Sequence, residues 1–297
     1  MGVAFALASM LCFATNILVS RYAMARMDVD SGFFLVLATS VVAGAAIFGV
    51  ELAWRAAPFA FQPREALIFS GAGLIGAFLG RRLLYDTVRQ LGPARTSVFH
   101  SCAPVPTLFF AWIIVGEMLG AYELALMAVV MAGLWITHPP QKDGAASTAD
   151  RARLRKGALF GLLMITGFGA SNALRGLAVR DWNEPLFGAV IGSLVALAGQ
   201  VVATRDWAGV ARGFREAKPG GMALYAASGF LTLGGATLIL EAMKYMEIAL
   251  AALITHTTPL VIFPVSVFLY KNREGLTLRT FVGVALVLAG IAALALR

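Results

Sequence analysis

PPQKDGAASTADRARLRK, residues 139 to 156, is the one long polar stretch in an otherwise apolar chain, and its position decides the fold. Pro139-Pro140 stops a helix, and the Ala/Ser-rich, Lys/Arg-bearing segment after it reads as a linker. Five apolar runs precede it, over residues 2 to 20, 32 to 54, 66 to 90, 94 to 115 and 120 to 138. Five follow it, over 157 to 179, 185 to 204, 220 to 245, 247 to 270 and 277 to 296. At about 20 residues per bilayer crossing, each run predicts a transmembrane helix. The division predicts a first five-helix unit over 1–138, the linker over 139–156 and a second unit over 157–297.

Composition agrees with this reading. Of 297 residues, 59% are hydrophobic and only 13% charged, where soluble domains run nearer ~45–50% apolar. The mean hydropathy is +0.80. Ten crossings leave only short connections and no room for a water-soluble domain, so function must live between helices. The first run lacks a basic leader and is too long for a signal-peptide core, so it reads as a membrane helix. Cys12 and Cys102 fall inside apolar runs, which gives no disulfide framework and no thiol metal site. The formal charge of +8 is scattered among the spans rather than gathered on one basic face, which excludes nucleic acid as a partner.

The two halves repeat. An offset of 155 lays Gly2 on Gly157, Phe5 on Phe160, Phe13 on Phe168, Ala23 on Ala178 and Pro104 on Pro259. Asp86 falls on Glu241 and Arg89 on Lys244, and Ala132-Gly133 meets Ala289-Gly290 after a two-residue slip. Five is odd, so the second unit must cross the membrane in the opposite sense. The expected fold is therefore all-α integral membrane, with ten transmembrane helices as two inverted five-helix repeats around a central cavity, the architecture of secondary transporters.

The residues resemble the ten-helix EamA-type permeases of the drug/metabolite transporter superfamily over essentially the whole chain. Leu240-Glu241-Ala242-Met243-Lys244-Tyr245 followed by Ala249 to Pro259 is similar to that family's end of helix eight, tight turn and Pro-bearing helix nine. Tyr85 to Pro104, Val115-Gly116-Glu117 and Ala132-Gly133 are the first-half counterparts. The second-half loop departs, reading Lys271-Asn272-Arg273-Glu274 with no Gly before its Glu. The resemblance implies a small-molecule transporter, frequently an exporter of metabolites, with a central cavity and with helices five and ten at the periphery.

Orientation is read in two ways. Arg55, Arg64, Arg180, Lys244 and Arg297 lie on the side of the termini and of the loops after even-numbered helices. The larger share of Lys and Arg lies opposite, which places the linker in the cytoplasm and the termini outside. The family resemblance implies cytoplasmic termini. Either way the chain is expected as a multi-pass protein of the cell (inner) membrane.

Ionisable groups at mid-span cost about 2.5 kcal/mol or more and usually face a cavity. Arg82, Tyr85, Asp86 and Arg89 share one helix face, and Thr237, Glu241 and Lys244 repeat it on helix eight. These stripes read as gate or coupling charges, with Asp86 or Glu241 a proton carrier, or as salt-bridged helix C-termini favoured by the dipole. Arg81-Arg82 lies deep in a span before Gly92-Pro93, and adjacent positions differ by about 100°, so only one points straight at a cavity. A guanidinium there anchors carboxylate or phosphate. Arg175, sharing a face with Phe168, Ser171 and Asn172, is a candidate second anchor. The alternatives are an Arg82–Asp86 pair within the helix and an Arg175 near a helix end. Pro104 and Pro259 each free a carbonyl four residues earlier, those of His100 and Thr255. With Pro106, Pro264, Ser101, Cys102, His256, Thr257 and Thr258 in the same helices, they predict hinges with polar lining, or kinks repaired by Ser and Thr. The two histidines read singly as hydrogen-bonded structural groups.

A membrane hydrolase is the rival from another class. Gly169-Ala170-Ser171-Asn172 is superficially similar to an intramembrane serine protease, but the second glycine of such enzymes is missing, and neither HExxH nor a P-loop is present. No enzyme, cofactor or metal is expected. Among transporters the rival is a proton-coupled exporter of organic cations or drugs, weakened because helix one holds Cys12, Thr15 and Asn16 but no acid. The sequence therefore predicts a secondary permease, an exporter of amino acids or related small organic anions and zwitterions, taking a small-molecule substrate, with or without a proton, across the lipid bilayer. Its pathway is expected to use Asn16, Arg81, Arg82, Tyr85, His100, Ser101, Asn172, Arg175, Thr255 and His256.

Overall fold

The computed structural model describes residues 1–55, 58–91, 96, 99–137, 148–258, 260–262 and 278–295. Within them the chain forms α1 (Gly2–Met24), α2 (Val29–Trp54), α3 (Pro63–Leu91), α4 (Pro104–Val115) and α5 (Ala121–Thr137). The second half supplies α6 (Thr148–Asp181), α7 (Pro185–Ala203), α8 (Gly221–Tyr245), α9 (Ile248–Thr255) and α10 (Leu278–Ala295). No strand occurs among the described residues. Six helices, α1, α2, α3, α6, α7 and α8, are long and apolar enough to cross a bilayer. Two of the remaining four are shortened by local chemistry: Pro104 restarts α4, Gly116 at φ 73 ends it in the left-handed region, and α9 stops at Thr255.

Two elements depart from the sequence expectation. Residues 205–219 were expected as a connection, yet Trp207–Arg215 is a short surface helix, capped by Asp206, whose carboxylate accepts from the Gly209 amide at 2.7 Å. Its sequence alternates too little apolar length to register as a span. Secondly, α6 begins at Thr148, inside the stretch expected as linker, and Arg153 donates to the Arg89 carbonyl at 2.9 Å. Residues 139–147, Gly92-Pro93, Arg95, Pro259, Pro264 and the Lys271 to Glu274 loop lie outside the described residues.

The helices pair across the two halves in a pattern that survives exchanging them. α1 packs on α8 as α6 packs on α3, α2 on α8 as α7 on α3, and α1 on α9 as α6 on α4. Three pairs map onto themselves: α2 with α7, α4 with α9, and α5 with α10. This is the contact map of two inverted repeats around a pseudo-twofold axis. α5 packs chiefly on α10, at the edge, as the resemblance implied.

Lipid offers no hydrophobic drive to bring helices together, so close approach of small residues does it. At Gly73 a Cβ would stand 2.5 Å from the backbone of Gly192 on α7. Across Gly73–Gly80, α3 is wound as a π-helix, and the Ser171 hydroxyl of α6 donates to the Ala72 carbonyl at 2.8 Å where the winding widens. The wider winding turns the last third of α3 relative to its first, and so sets where Arg81 and Arg82 point.

Gly73→Ala should lower the thermal midpoint of the detergent-solubilised protein by the equivalent of roughly 1–3 kcal/mol, because backbone has to move. Gly71→Ala, which meets nothing within 4 Å, should leave the midpoint unchanged.

Candidate functional site

His100 and His256 stand at the broken turns of α4 and α9, one from each half, and the fold brings them together. Their ring centroids are 4.7 Å apart at an interplanar angle of 68°, with Phe168 of α6 edge-on to His100 at 5.5 Å. The sequence treated each histidine singly, but the signal was available. The repeat lays His100 on Thr255 and His256 on Ser101, so neighbouring positions of two symmetry-related helices meet at the axis.

Arg81 lies within electrostatic reach of one member of this pair. The charge of Arg81 acts on His100 and on Arg175, and also on Tyr85. Its guanidinium lies 5.4 Å from the centroid of Phe33, whose ring meets Tyr85 edge-on at 6.0 Å. Arg82 diverges: it is exposed, lies 5.5 Å from the centroid of Phe78, and lines a cavity of about 450 Å³ with Asp30, Gln200, Thr204, Arg205 and Arg212. Of the two adjacent arginines, Arg81 is thus the one at the centre. Among the described residues no carboxylate forms an ion pair with Arg81, Arg82 or Arg175. Thr255, 4% exposed beside His256, has a hydroxyl with no hydrogen-bond partner among the described residues.

The broken turns are closed locally. In α4 the amides of Cys102, Ala103 and Val105 donate to the carbonyls of Phe99, His100 and Cys102 at 2.9–3.1 Å. The carbonyls lost to Pro104 and Pro106 are thereby recovered by tight three-residue turns. Thr107 then donates to the Ala103 carbonyl at 2.9 Å, and Asn172 donates to the Thr107 hydroxyl at 3.3 Å. Asn172 is thus tied to the kink. Ser101 is buried in the same turn. In α9 the Thr257 hydroxyl donates to the Ile254 carbonyl at 2.6 Å. The hinge expected at Pro259 lies outside the described residues.

Three groups of expected site residues sit apart from the centre. Asn16 is buried between α1 and α8, donating to Thr232 at 3.0 Å and accepting from Ser228. Its repeat equivalent is Ser171, which joins α6 to α3, so both halves place an interhelical hydrogen bond at this level. Asp86 pairs with Arg89 at 3.8 Å rather than with Arg82, at the exposed end of α3. Glu241 pairs with Lys244 at 2.7 Å at the end of α8. No ion pair or hydrogen bond among the described residues joins these four charges to the central histidines and arginines.

The sequence missed a set of contacts on the side of the even-numbered loops. Glu117, in the Gly-Glu loop after α4, accepts from the Ile248 amide at 2.9 and 3.1 Å and from Arg180 at 2.9 Å. Arg180 also donates to the carbonyls of Met243 and Met246 at 2.9 and 3.0 Å. Arg55 pairs with Glu184 and Glu51, and Arg64 with Asp181 at 3.5 Å. Glu184 holds the Arg55 guanidinium, which caps α2 outside the span, above its ordinary range.

Thr107→Val should lower stability by about 1–3 kcal/mol, read as a fall in thermal midpoint. It removes a buried hydroxyl and leaves the Asn172 amide short of an acceptor, while the Ala103 carbonyl keeps only the amide of residue 107.

The family model described as the EamA-like transporter family matches residues 1–138 and 155–296. No curated protein matches the chain. A solved structure titled only as the crystal structure of a protein is similar over 99% of this chain and 96% of its own, with a TM-score of 0.72 at 16% identity. At that identity the likeness concerns the fold alone.

Proposed function

The chain belongs to the EamA-like transporter family, a family of multi-pass membrane transporters, and from that premise we propose that it is a secondary permease exporting small organic anions or zwitterions, amino acids among them. One observation carries the reading: Arg81 lies within electrostatic reach of both His100 and Arg175, and neither arginine has a carboxylate partner among the described residues. Two guanidinium groups near each other at membrane depth repel one another and are poorly solvated. A carboxylate or phosphate entering between them supplies the missing counter-charge and accepts bidentate hydrogen bonds. The unpartnered Thr255 hydroxyl offers one more contact.

In this reading the five-helix units 1–138 and 157–297 rock about the axis at which α4 and α9 meet. The broken turns at His100 and His256 supply the hinges. Arg82 and its cavity form the vestibule on one side of the membrane.

The test is a thermal-stability screen of purified protein against amino acids, organic anions, phosphorylated metabolites and organic cations. A ligand at one hundred times its Kd adds about 2.7 kcal/mol to the folded state. Carboxylates or phosphates should raise the midpoint of the wild type, and Arg81→Gln and Arg175→Gln should each abolish the shift. A shift confined to organic cations would overturn the reading in favour of a proton-coupled cation exporter using Asp86 and Glu241.

Because Asp86 and Glu241 are held in local pairs at helix ends, Asp86→Asn and Glu241→Gln should each keep the wild-type dependence of transport on pH. A profile flattened by either substitution would give that acid the proton.

A further inference from the structure

The two ends of the bundle are built differently. Where the loops after even-numbered helices gather, Phe48, Phe59, Phe61, Phe69, Trp182 and Phe187 stack into one aromatic cluster, with centroids 4.7–6.5 Å apart. Ion pairs between elements ring that cluster: Arg55 with Glu184, Arg64 with Asp181, and Arg180 with Glu117. At the other end lies the 450 Å³ cavity beside Arg82 and the surface helix. The Asp86–Arg89 pair at this end lies within α3. One end is sealed and the other is open.

Within the seal, Glu117 and Arg180 differ from the rest by what they grip. The Glu117 side chain is 8% exposed and holds both Arg180 and the first amide of α9, the helix that carries His256. Arg180, at the end of α6, holds the carbonyls that close the turn between α8 and α9. Four elements of both repeats thus meet on one carboxylate and one guanidinium. α9 cannot tilt away from α6 without breaking these bonds together.

We propose that Glu117 and Arg180 form the gate latch of this permease, whose release opens the sealed end and closes the cavity at the other. The proposal rests on the alternating-access part of the proposed function, but not on the substrate class. Ala249, fully buried in the first turn of α9 beneath the latch, and Ala203, which lines the cavity, report the two ends.

The experiment labels single cysteines, Ala249→Cys or Ala203→Cys, with a charged thiol reagent in reconstituted protein whose Cys12 and Cys102 are replaced by alanine. With the latch intact, position 203 should label and position 249 should be protected. Glu117→Gln and Arg180→Ala should each raise labelling at 249 by about tenfold and lower labelling at 203 by a similar factor, the reciprocity a two-state equilibrium requires. Faster labelling at 249 with no loss at 203 means that the bonds only hold structure together, and overturns the latch. Unchanged labelling at both positions overturns it as well. If Arg180→Ala does not fold, Glu117→Gln decides alone, since it keeps one acceptor for the Ile248 amide. No substrate enters the experiment, so failure of the anionic-substrate reading in the thermal screen and failure of the latch are separate results.

Discussion

A backbone carbonyl or amide in the hydrocarbon core has no water to turn to, and each one left unpaired costs several kcal/mol. The departures from regular helix in this protein answer to that constraint. α4 breaks at two prolines, yet tight turns recover the freed carbonyls of His100 and Cys102. The wide turns of α3 begin where Ser171 reaches the Ala72 carbonyl. Irregular backbone is affordable here only because a neighbouring helix of the other repeat, or a hydroxyl of the same turn, is within reach. The central histidines are therefore products of a repaired break: they stand where the chain stops being a plain helix and where two such stops meet.

Repetition and its failure divide the labour between fold and site. Positions that match across the offset of 155 hold helices together: Asn16 and Ser171 both make interhelical hydrogen bonds, one on the α1–α8 contact and one on α3–α6. The cationic and histidine groups of the centre stand at positions that do not match. Arg81 corresponds to Ala236, Arg175 to Ser20, and the histidines to Thr255 and Ser101. The fold is close to symmetric, whereas the cationic groups gather on α3 and α6 and at the α4–α9 contact. A site built on unpaired positions can present one face to a small asymmetric molecule while the scaffold around it still rocks as a near-twofold body.

This division explains what the sequence made legible. The spans, their number and the inverted halves follow from hydropathy and from an odd count on either side of a polar linker, signals that depend on bilayer thickness and little else. The surface helix Trp207–Arg215 was illegible because nine residues with Arg205, Arg212, Arg215 and Lys218 around them read as a basic loop. Helix phase placed Arg82, Asp86 and Arg89 on one face correctly, but could not choose between Arg81 and Arg82. The wider winding over Gly73–Gly80 resets the phase just before them. The contacts of Glu117 were hidden for another reason. A loop carboxylate finds its partners on α6 and α9, more than sixty positions away, and no local pattern encodes that.

The electrostatics of the centre and of the sealed end then belong to one argument. In the proposed reading the neighbouring guanidinium groups of Arg81 and Arg175 repel one another at the centre, and the charge-assisted bonds of Glu117 and Arg180 hold the far end shut against that repulsion. In the proposed reading an arriving anion removes the repulsion and lets α4 and α9 draw together at their broken turns. The pull is transmitted to the first turn of α9, where the Ile248 amide is held by Glu117. A ligand shifts such an equilibrium only by its difference in affinity between the two states. A single added negative charge between two arginines is a difference of that kind, and a neutral molecule of the same shape is not.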